Sequence, residues 1–342
     1  MGKPTVHDIA QAAGVSLATV DRVLNERPGV RTMTASRVHE AIDKLGYVRD
    51  VHAANLARGR HYRFAFILPD SQTQFMDALR ESIAEASKGM RTERAEFRII
   101  DVPLNDSAAM MRSLGDVLDA GLDGIAIMAN ETPVVRDMIA HLKEQNVAVA
   151  TLVTDQPKAE RDHFVGIDNV AAGRTAGVLM GRFLAGQTGK IMLVVNTTLA
   201  RDMIDRRAGF DEVIARDFPG LTVLPSLEGY DDREKTAQVA AQCLSNHDDI
   251  VGIYCIGAGT RGVTQSVREA GLAGKLVTVC HELTPATRKG LEDGLINVVI
   301  NQNVGHLVRS ATRVLKAHCD GLDIIESQER IRIEIVIKEN LP

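Results

Sequence analysis

The chain has 342 residues, 45% of them hydrophobic, and its 40 basic and 45 acidic side chains leave a net charge of −5. This length suits one small module and a larger body, no run of eighteen apolar residues offers a membrane span, and no basic-then-apolar leader opens the chain, so a cytoplasmic protein is expected. Cys243, Cys255, Cys280 and Cys319 show no C-x-x-C spacing, which reads as reduced thiols; neither a metal site nor a cofactor is expected.

The first predicted elements are two short helices joined by a tight turn. Ile9, Ala10 and Ala13 pack the first helix, Gly14 supplies a left-handed turn residue, and Ser16 caps the second helix through its hydroxyl. Val20, Val23 and Leu24 recur at helical spacing and face back toward the first helix. Leu17, Ala18, Thr19 and Arg22 then point away from the packing, at the helix end that enters the major groove in a helix-turn-helix. The first sixty residues carry nine basic against six acidic side chains, a net +3, so the remainder carries −8. A basic module on an acidic body confines phosphate attraction to one end.

Residues 50–60 form a short, alanine-rich, helix-capable linker bounded by Gly59. After it, apolar strands alternate with helical stretches. The first strand is predicted at 63–69 and a helix at 74–90; further strand cores lie at 97–100, 124–128, 147–152, 164–167, 191–195, 250–256, 276–280 and 298–301. Continuous apolar runs of this kind mark strands covered on both faces by crossover helices. So many βα units exceed one open sheet of usual size. The expected fold class is a small all-α helix-turn-helix head plus an α/β body of two doubly wound lobes. The expected divisions are a DNA-binding domain at 1–49, a hinge helix or linker at 50–61, and an effector-binding and dimerisation body at 62–342. Within the body, one lobe takes about 62–164 and 304–330, the other about 165–302 and 331–342.

These residues carry a family resemblance. Asp8 to Val20 follow the pattern Asp-Ile-Ala-x-x-Ala-Gly-Val-Ser-x-x-Thr-Val, continued by Arg22-Val23-Leu24-Asn25, Leu45-Gly46-Tyr47 and Ala53-Ala54-Asn55-Leu56-Ala57. Over residues 4–58 the chain resembles the lactose-repressor family of bacterial transcription regulators, and the body resembles that family's periplasmic-binding-protein-like core. The resemblance implies a homodimer on double-stranded operator DNA, with no membrane partner. It implies that Leu17 and Ala18 occupy the base-reading positions, where small apolar side chains touch a thymine methyl but make no bidentate bonds. It assigns Ser16, Thr19, Asn25 and Thr34 to phosphate positioning, and Thr5, Tyr47 and Asn55 to the same DNA-contacting set. Arg22 is the one long donor on the recognition helix and the candidate guanine contact. Leu56 matches the hinge leucine that wedges into the minor groove; its other reading is a buried helix contact. Two departures are Asp21, where the family usually has serine, and Arg49-Asp50, in place of proline-asparagine.

The implied task of the body is binding of a small effector between the lobes, at the carboxyl ends of the strands. Candidate effector residues are Asp70, Gln74 and Phe75 after the first strand, Asn130 and Glu131 after the strand at 124–128, Arg206 in Arg206-Arg207-Ala208-Gly209-Phe210, Gly257, Glu282 and Gln302. Carboxylates, a guanidinium and amides together suit hydroxyls that both donate and accept, hence a sugar or polyol. Phe75 admits stacking on a sugar face or a core position, and Arg206 a ligand contact or a surface position. Asp168-Asn169 reads as a cap and hinge element. At 257–262, Gly-Ala-Gly-Thr-Arg-Gly stands where many relatives carry Asn-Asp; its backbone N–H groups suit an anion, or the segment is a plain tight turn. No nucleophile elbow, Walker loop or H-E-x-x-H is present, and His281-Glu282 on an extended segment should point to opposite faces, so no enzyme is expected. The functional expectation is an effector-controlled DNA-binding regulator acting as a repressor; the alternative is an architectural DNA-binding dimer whose body answers to no effector.

Overall fold

A computed structural model describes residues 4–25, 27–47, 60–90, 94–103, 107–257 and 259–342. The hinge positions Asn55 and Leu56, the departure at 49–50 and Ala258 lie outside the described residues. The chain divides into two compact units, 1–60 and 61–342.

Among the described residues of the first unit the regular elements are three helices: α1 (Val6–Ala13), α2 (Leu17–Leu24) and α3 (Thr32–Leu45). Thr5 and Asp8 form a capping box at the start of α1, which satisfies two backbone N–H groups that have no partner within the helix. Gly14 ends α1 at φ 62°, a left-handed conformation that costs a glycine nothing. Ile9, Ala10, Ala13, Val20, Val23, Val38 and Ala41 form the core, so the three amphipathic helices converge on one apolar centre. The guanidinium of Arg37 on α3 donates to the carbonyls of Ala13 and Gly14, tying the third helix to the turn between the first two.

The second unit contains two sheets. The first runs β2-β1-β3-β4-β5, all parallel, from β1 (Tyr62–Pro69), β2 (Ala95–Val102), β3 (Gly124–Ile127), β4 (Ala148–Leu152) and β5 (His163–Val165). Alternate residues of β1 serve two different cores: Phe64, Phe66 and Leu68 face one, Ala65 and Ile67 the other. The connecting helices are α4 (Gln74–Met90), α5 (Ser107–Asp119) and α6 (Pro133–Glu144). The edge strand β2 departs from the expectation of strands covered on both faces: Glu96, Arg98 and Ile99 are exposed, because an edge has only one neighbour.

The second sheet runs β11-β10-β9-β8-β6-β7. Its strands are β6 (Gly189–Val195), β7 (Leu221–Glu228), β8 (Ile250–Cys255), β9 (Val277–His281), β10 (Val298–Asn301) and β11 (Glu334–Val336), with β11 antiparallel to β10. Strand β7 escapes the sequence pattern because it is an edge strand with Pro225 inside it, a residue tolerated only where a ladder donor is dispensable. Helices α7 (Asn169–Phe183), α8 (Arg201–Asp217), α9 (Arg233–Asn246), α10 (Thr260–Glu269) and α11 (Pro285–Glu292) accompany this sheet. Helix α12 (Val304–Asp320) returns to pack against β3, β4 and α4 of the first lobe. The chain therefore passes between the lobes after β5, after β10 and before β11. No helix among the described residues is long and apolar enough to cross a membrane.

The closest packing in this lobe is the α7–α8 seam, and it rests on missing side chains. A Cβ on Gly173 would lie 1.9 Å from the carbonyl oxygen of Arg206, and one on Gly209 would lie 2.1 Å from that of Val170. Gly177 and Gly181 continue the stripe at four-residue spacing against Val213 and Phe218. This contact brings the backbone of Arg206 against α7.

Candidate functional site

In the helical unit the exposed face of α2 carries the expected residues. Leu17 is 42% exposed, and Ala18, Asp21 and Arg22 are exposed beside it. The Ser16 hydroxyl accepts from the Thr19 backbone N–H at 3.2 Å and lies 3.0 Å from the Thr19 hydroxyl. Thr5 is engaged in its own capping box. Asp21, the departure that brings a carboxylate to this face, is not loose. The Asn25 amide donates to its Oδ1 and to its carbonyl, both at 2.7 Å, and Arg27 pairs with it at 3.4 Å. Much of its charge is thereby met within the head. Thr34 is half-buried near the start of α3, and Tyr47 packs against the head's core.

In the second unit the carboxyl ends of both sheets enclose a cavity of about 1150 Å³, its open mouth included. Gln74, Phe75, Asn130, Arg206, Gly257 and Glu282 line it. Three other expected residues do not. Asp70 is exposed between Pro69 and Ser71, which both line the cavity, so strand-like alternation turns it outward. Glu131, just before α6, turns toward Arg136 in the first turn of that helix, at 3.7 Å. Gln302 is fully buried behind the wall, where it holds Glu282.

Arg206 is 1% exposed, which removes its reading as a surface residue. Its Nε donates to Asn169 Oδ1 at 2.8 Å, Nη1 to the Ile256 carbonyl at 2.9 Å and Nη2 to Glu282 Oε1 at 3.2 Å. Gln302 Nε2 donates to the same Oε1 at 2.8 Å. Asn169 in turn donates to the Val153 carbonyl, while Asp168 caps α7 on the Ala171 N–H, so the cap-and-hinge segment orients the arginine. Burial raises the Glu282 carboxyl, against the pull of Arg206 and Gln302. Its Oε2 has no hydrogen-bond partner.

Sequence reasoning missed several wall residues. Asp202 lies four residues before Arg206 on the same face of α8, a spacing that could have flagged it. Asp231 and Asn196 have no such signal. Asn196 Nδ2 donates to Asp231 Oδ2 at 3.2 Å, and the Ser71 hydroxyl of the other lobe donates to the same oxygen at 3.1 Å. A second bond between lobes runs from the Ala286 N–H to Gln74 Oε1 at 3.0 Å. His281 and Glu282 were expected on opposite faces, yet both line the cavity, because Glu282 sits at φ 65° and breaks the alternation. His281 Nε2 lies 2.8 Å from the Tyr254 hydroxyl, and burial pushes the imidazole well below its usual range, which keeps it neutral. Val153 (φ 63°) and Asp231 (φ 59°) also line the cavity in left-handed conformations. Such strain, especially at a β-branched valine, persists only where surrounding structure enforces it and gathers at functional sites.

Two family models divide the chain as its architecture does. Residues 5–50 match the model for bacterial regulatory proteins of the lacI family, and residues 64–323 match a periplasmic binding protein domain. The chain belongs to the lacI family of bacterial regulatory proteins. Over 176 residues it is 27% identical to the HTH-type transcriptional regulator DegA of Bacillus subtilis (strain 168), covering 51% of this chain and 50% of DegA. It is 34% identical over 125 residues to the maltose regulon regulatory protein MalI of Escherichia coli (strain K12), covering 36% and 35%. A longer match, 23% over 269 residues and 78% of each chain, joins it to catabolite control protein A of Staphylococcus aureus (strain MRSA252). The matched stretches thus span half of DegA and about a third of MalI. Among solved structures, GanP, a glucose-galactose binding protein from Geobacillus stearothermophilus, superposes with a TM-score of 0.74 at 20% identity, covering 83% of this chain and 99% of GanP. An ABC transporter solute binding protein from Burkholderia graminis C4D1M, in complex with D-arabinose, gives 0.74 at 24% identity, covering 82% and 96%. These likenesses establish the fold of this lacI-family body.

Proposed function

We propose that this lacI-family protein is a cytoplasmic, homodimeric repressor that binds a near-palindromic operator through α2 and whose operator affinity is set by a small polyhydroxylated effector in the interlobe cavity. In this reading Leu17 and Ala18 meet thymine methyls, Arg22 meets a guanine, and Ser16, Thr19, Asn25 and Thr34 hold phosphates, with Thr5 and Tyr47 beside them. The hinge residues Asn55 and Leu56 complete the set in the minor groove. Two heads on a two-fold axis call for half-sites about one helical turn apart.

One observation supports the effector role above the others: in the buried network of Arg206, Glu282 and Gln302, the wall residue Glu282 keeps one oxygen without a partner. An effector hydroxyl is the complement of that oxygen, and both lobes contribute to the wall. A body serving only as a dimer scaffold has no need of such a group, since buried polar atoms left unmatched are costly.

The test is operator binding by the full chain with and without effector. Sugars and polyols that raise the thermal midpoint should also shift operator affinity, and operator DNA should shift effector affinity by the same factor, worth about 1–3 kcal/mol. Glu282→Gln keeps the shape of the site and should remove the response while operator affinity without effector stays near normal. An unchanged response in that variant defeats the cavity assignment; binding as a monomer to one isolated half-site defeats the dimeric reading.

A further inference from the structure

At the depth of the cavity wall three carboxyl groups, Asp202, Asp231 and Glu282, share one buried arginine, Arg206. Asp202 is 4% exposed and Glu282 9% exposed, and Asp231 is half-buried beside them. Arg206 is the deep cation of this wall, and its guanidinium is spent on Asn169, the Ile256 carbonyl and Glu282. Arg233 and Arg261 also line the cavity but are exposed, and Arg233 donates to Gln265 at 3.1 Å. Among the described residues no ion pair includes Asp202 or Asp231, although the two are close enough for each charge to oppose the other. Asp231 Oδ1, Glu282 Oε2 and Asn196 Oδ1 are all buried without a donor. The residues that the first lobe contributes, including Ser71, Thr73, Gln74 and Asn130, bring no charge.

A hydroxyl can donate to each of these oxygens, but it brings no charge to offset two buried carboxylates. An ammonium brings three donors, no acceptor and one positive charge. We infer that the effector carries a protonated amine as well as hydroxyls, an amino sugar or amino polyol, with its ammonium held by Asp202 and Asp231 and its hydroxyls meeting Glu282 and Asn196. This deepens the effector reading given above and rests on it. Burial raises Asp202 and Asp231 as it raises Glu282, with Arg206 pulling Asp202 and Glu282 the other way, and an ammonium beside them would favour their charged forms. The neighbouring charges are Arg206 on α8, Arg233 on α9 and Arg261 on α10, with His281 neutral. Among the described residues no group of three or more His, Cys, Asp or Glu is arranged to hold a metal ion, which favours an organic cation.

The experiment compares matched pairs on the full-length protein: D-glucosamine with D-glucose, D-galactosamine with D-galactose, and 1-amino-1-deoxy-D-sorbitol with D-sorbitol, each at about 100 mM in thermal unfolding, followed by calorimetry. The amino member of at least one pair should raise the midpoint and bind at least roughly tenfold more tightly than its neutral partner. Asp231→Asn, which keeps the acceptor for Ser71, should erase that preference. Affinity for 1-amino-1-deoxy-D-sorbitol, a primary alkylamine that keeps its proton through neutral pH, should rise as pH climbs from the ordinary carboxylate range toward neutrality and the raised carboxyls ionise. Tighter binding of the neutral members, or of glucose 6-phosphate, overturns the amine assignment and leaves the effector cavity standing. No shift from any amine at this concentration also overturns it. Gly257→Leu fills the cavity against Met203, whose Cε would lie 2.7 Å from the new Cβ; an amine shift that survives in this variant places the ligand elsewhere and overturns both readings.

Discussion

The head and the interlobe cavity solve the positioning of polar side chains in opposite ways. On the reading helix the ties are short-range: Ser16 to Thr19 spans three residues, Asn25 to Asp21 four and Arg27 to Asp21 six. All lie in the solvent-exposed class, where each is worth about 1 kcal/mol or less. In the cavity, Arg206 reaches 37, 50 and 76 residues along the chain to partners that are themselves buried. There a lost partner leaves a charge in a low-dielectric interior with nothing to replace it. A surface that reads DNA must keep its long side chains adaptable, whereas a pocket that recognises a small molecule must hold its groups still before the ligand arrives.

Substitutions can test that contrast. The largest effect should come from Arg206→Ala, which strands Glu282 and should lower the unfolding free energy of the body by about 3–5 kcal/mol; a loss under about 1 kcal/mol in denaturant titration would show that the network is not held as tightly as its geometry indicates. Next comes a pair of glycines. Gly173→Ala drives a Cβ into the Arg206 backbone at 1.9 Å and should cost about 3 kcal/mol, whereas Gly14→Ala meets only the movable end of Arg37 at 3.0 Å and should cost about 1 kcal/mol through its left-handed φ. Equal losses in calorimetry would erase the distinction between rigid and adaptable regions. Arg22→Ala should leave unfolding unchanged and weaken operator binding by about 1–3 kcal/mol with relaxed base preference. An equal loss on all DNA sequences would make Arg22 a phosphate contact.

The smallest effect concerns proton linkage. Burial holds the Asp202 carboxyl above its ordinary value in the folded protein, so the native state keeps that proton longer than the unfolded chain does. Below the unfolded carboxylate range both states are protonated and the group is neutral in its effect; as pH rises past that range, ionisation of the unfolded chain counts against folding. Asp202→Asn should therefore stabilise the ligand-free protein at about pH 8, and the gain should vanish toward about pH 3. A constant difference across a pH series of thermal midpoints would show that Asp202 does not titrate with folding.

The same contrast explains what could be read from the residues alone. The capping residues, the glycine turn and the apolar spacing of the head all act within a few positions, so their geometry follows from local rules. The Arg37 tie to the α1–α2 turn, 23 and 24 residues away, did not. In the body, strand runs such as 63–69 and 250–256 announce themselves because both faces are apolar. Arg206, Gln74 and Glu282 were legible as polar groups following strands or in a motif. Asp231 and the paired direction of His281 and Glu282 were not, because both depend on left-handed backbone at non-glycine residues, which tertiary structure imposes against local preference. Gln302 was legible as a polar group at a lobe crossing, but its place behind Glu282 is set by the pairing of β10 with β9, a matter of register.

The glycine seam between α7 and α8 has a mechanical consequence. Helices whose backbones touch at Gly173 and Gly209, and whose seam continues through glycines seated on Val213 and Phe218, have little freedom to slide. The pair, with Arg206 pinned against it, behaves as one beam. Any movement that follows ligand capture must then pass around this beam and be taken up at the three passages between lobes. Superposed lobe by lobe, filled and empty forms of the protein should differ by a rotation about those passages, with the α7–α8 spacing the same in both.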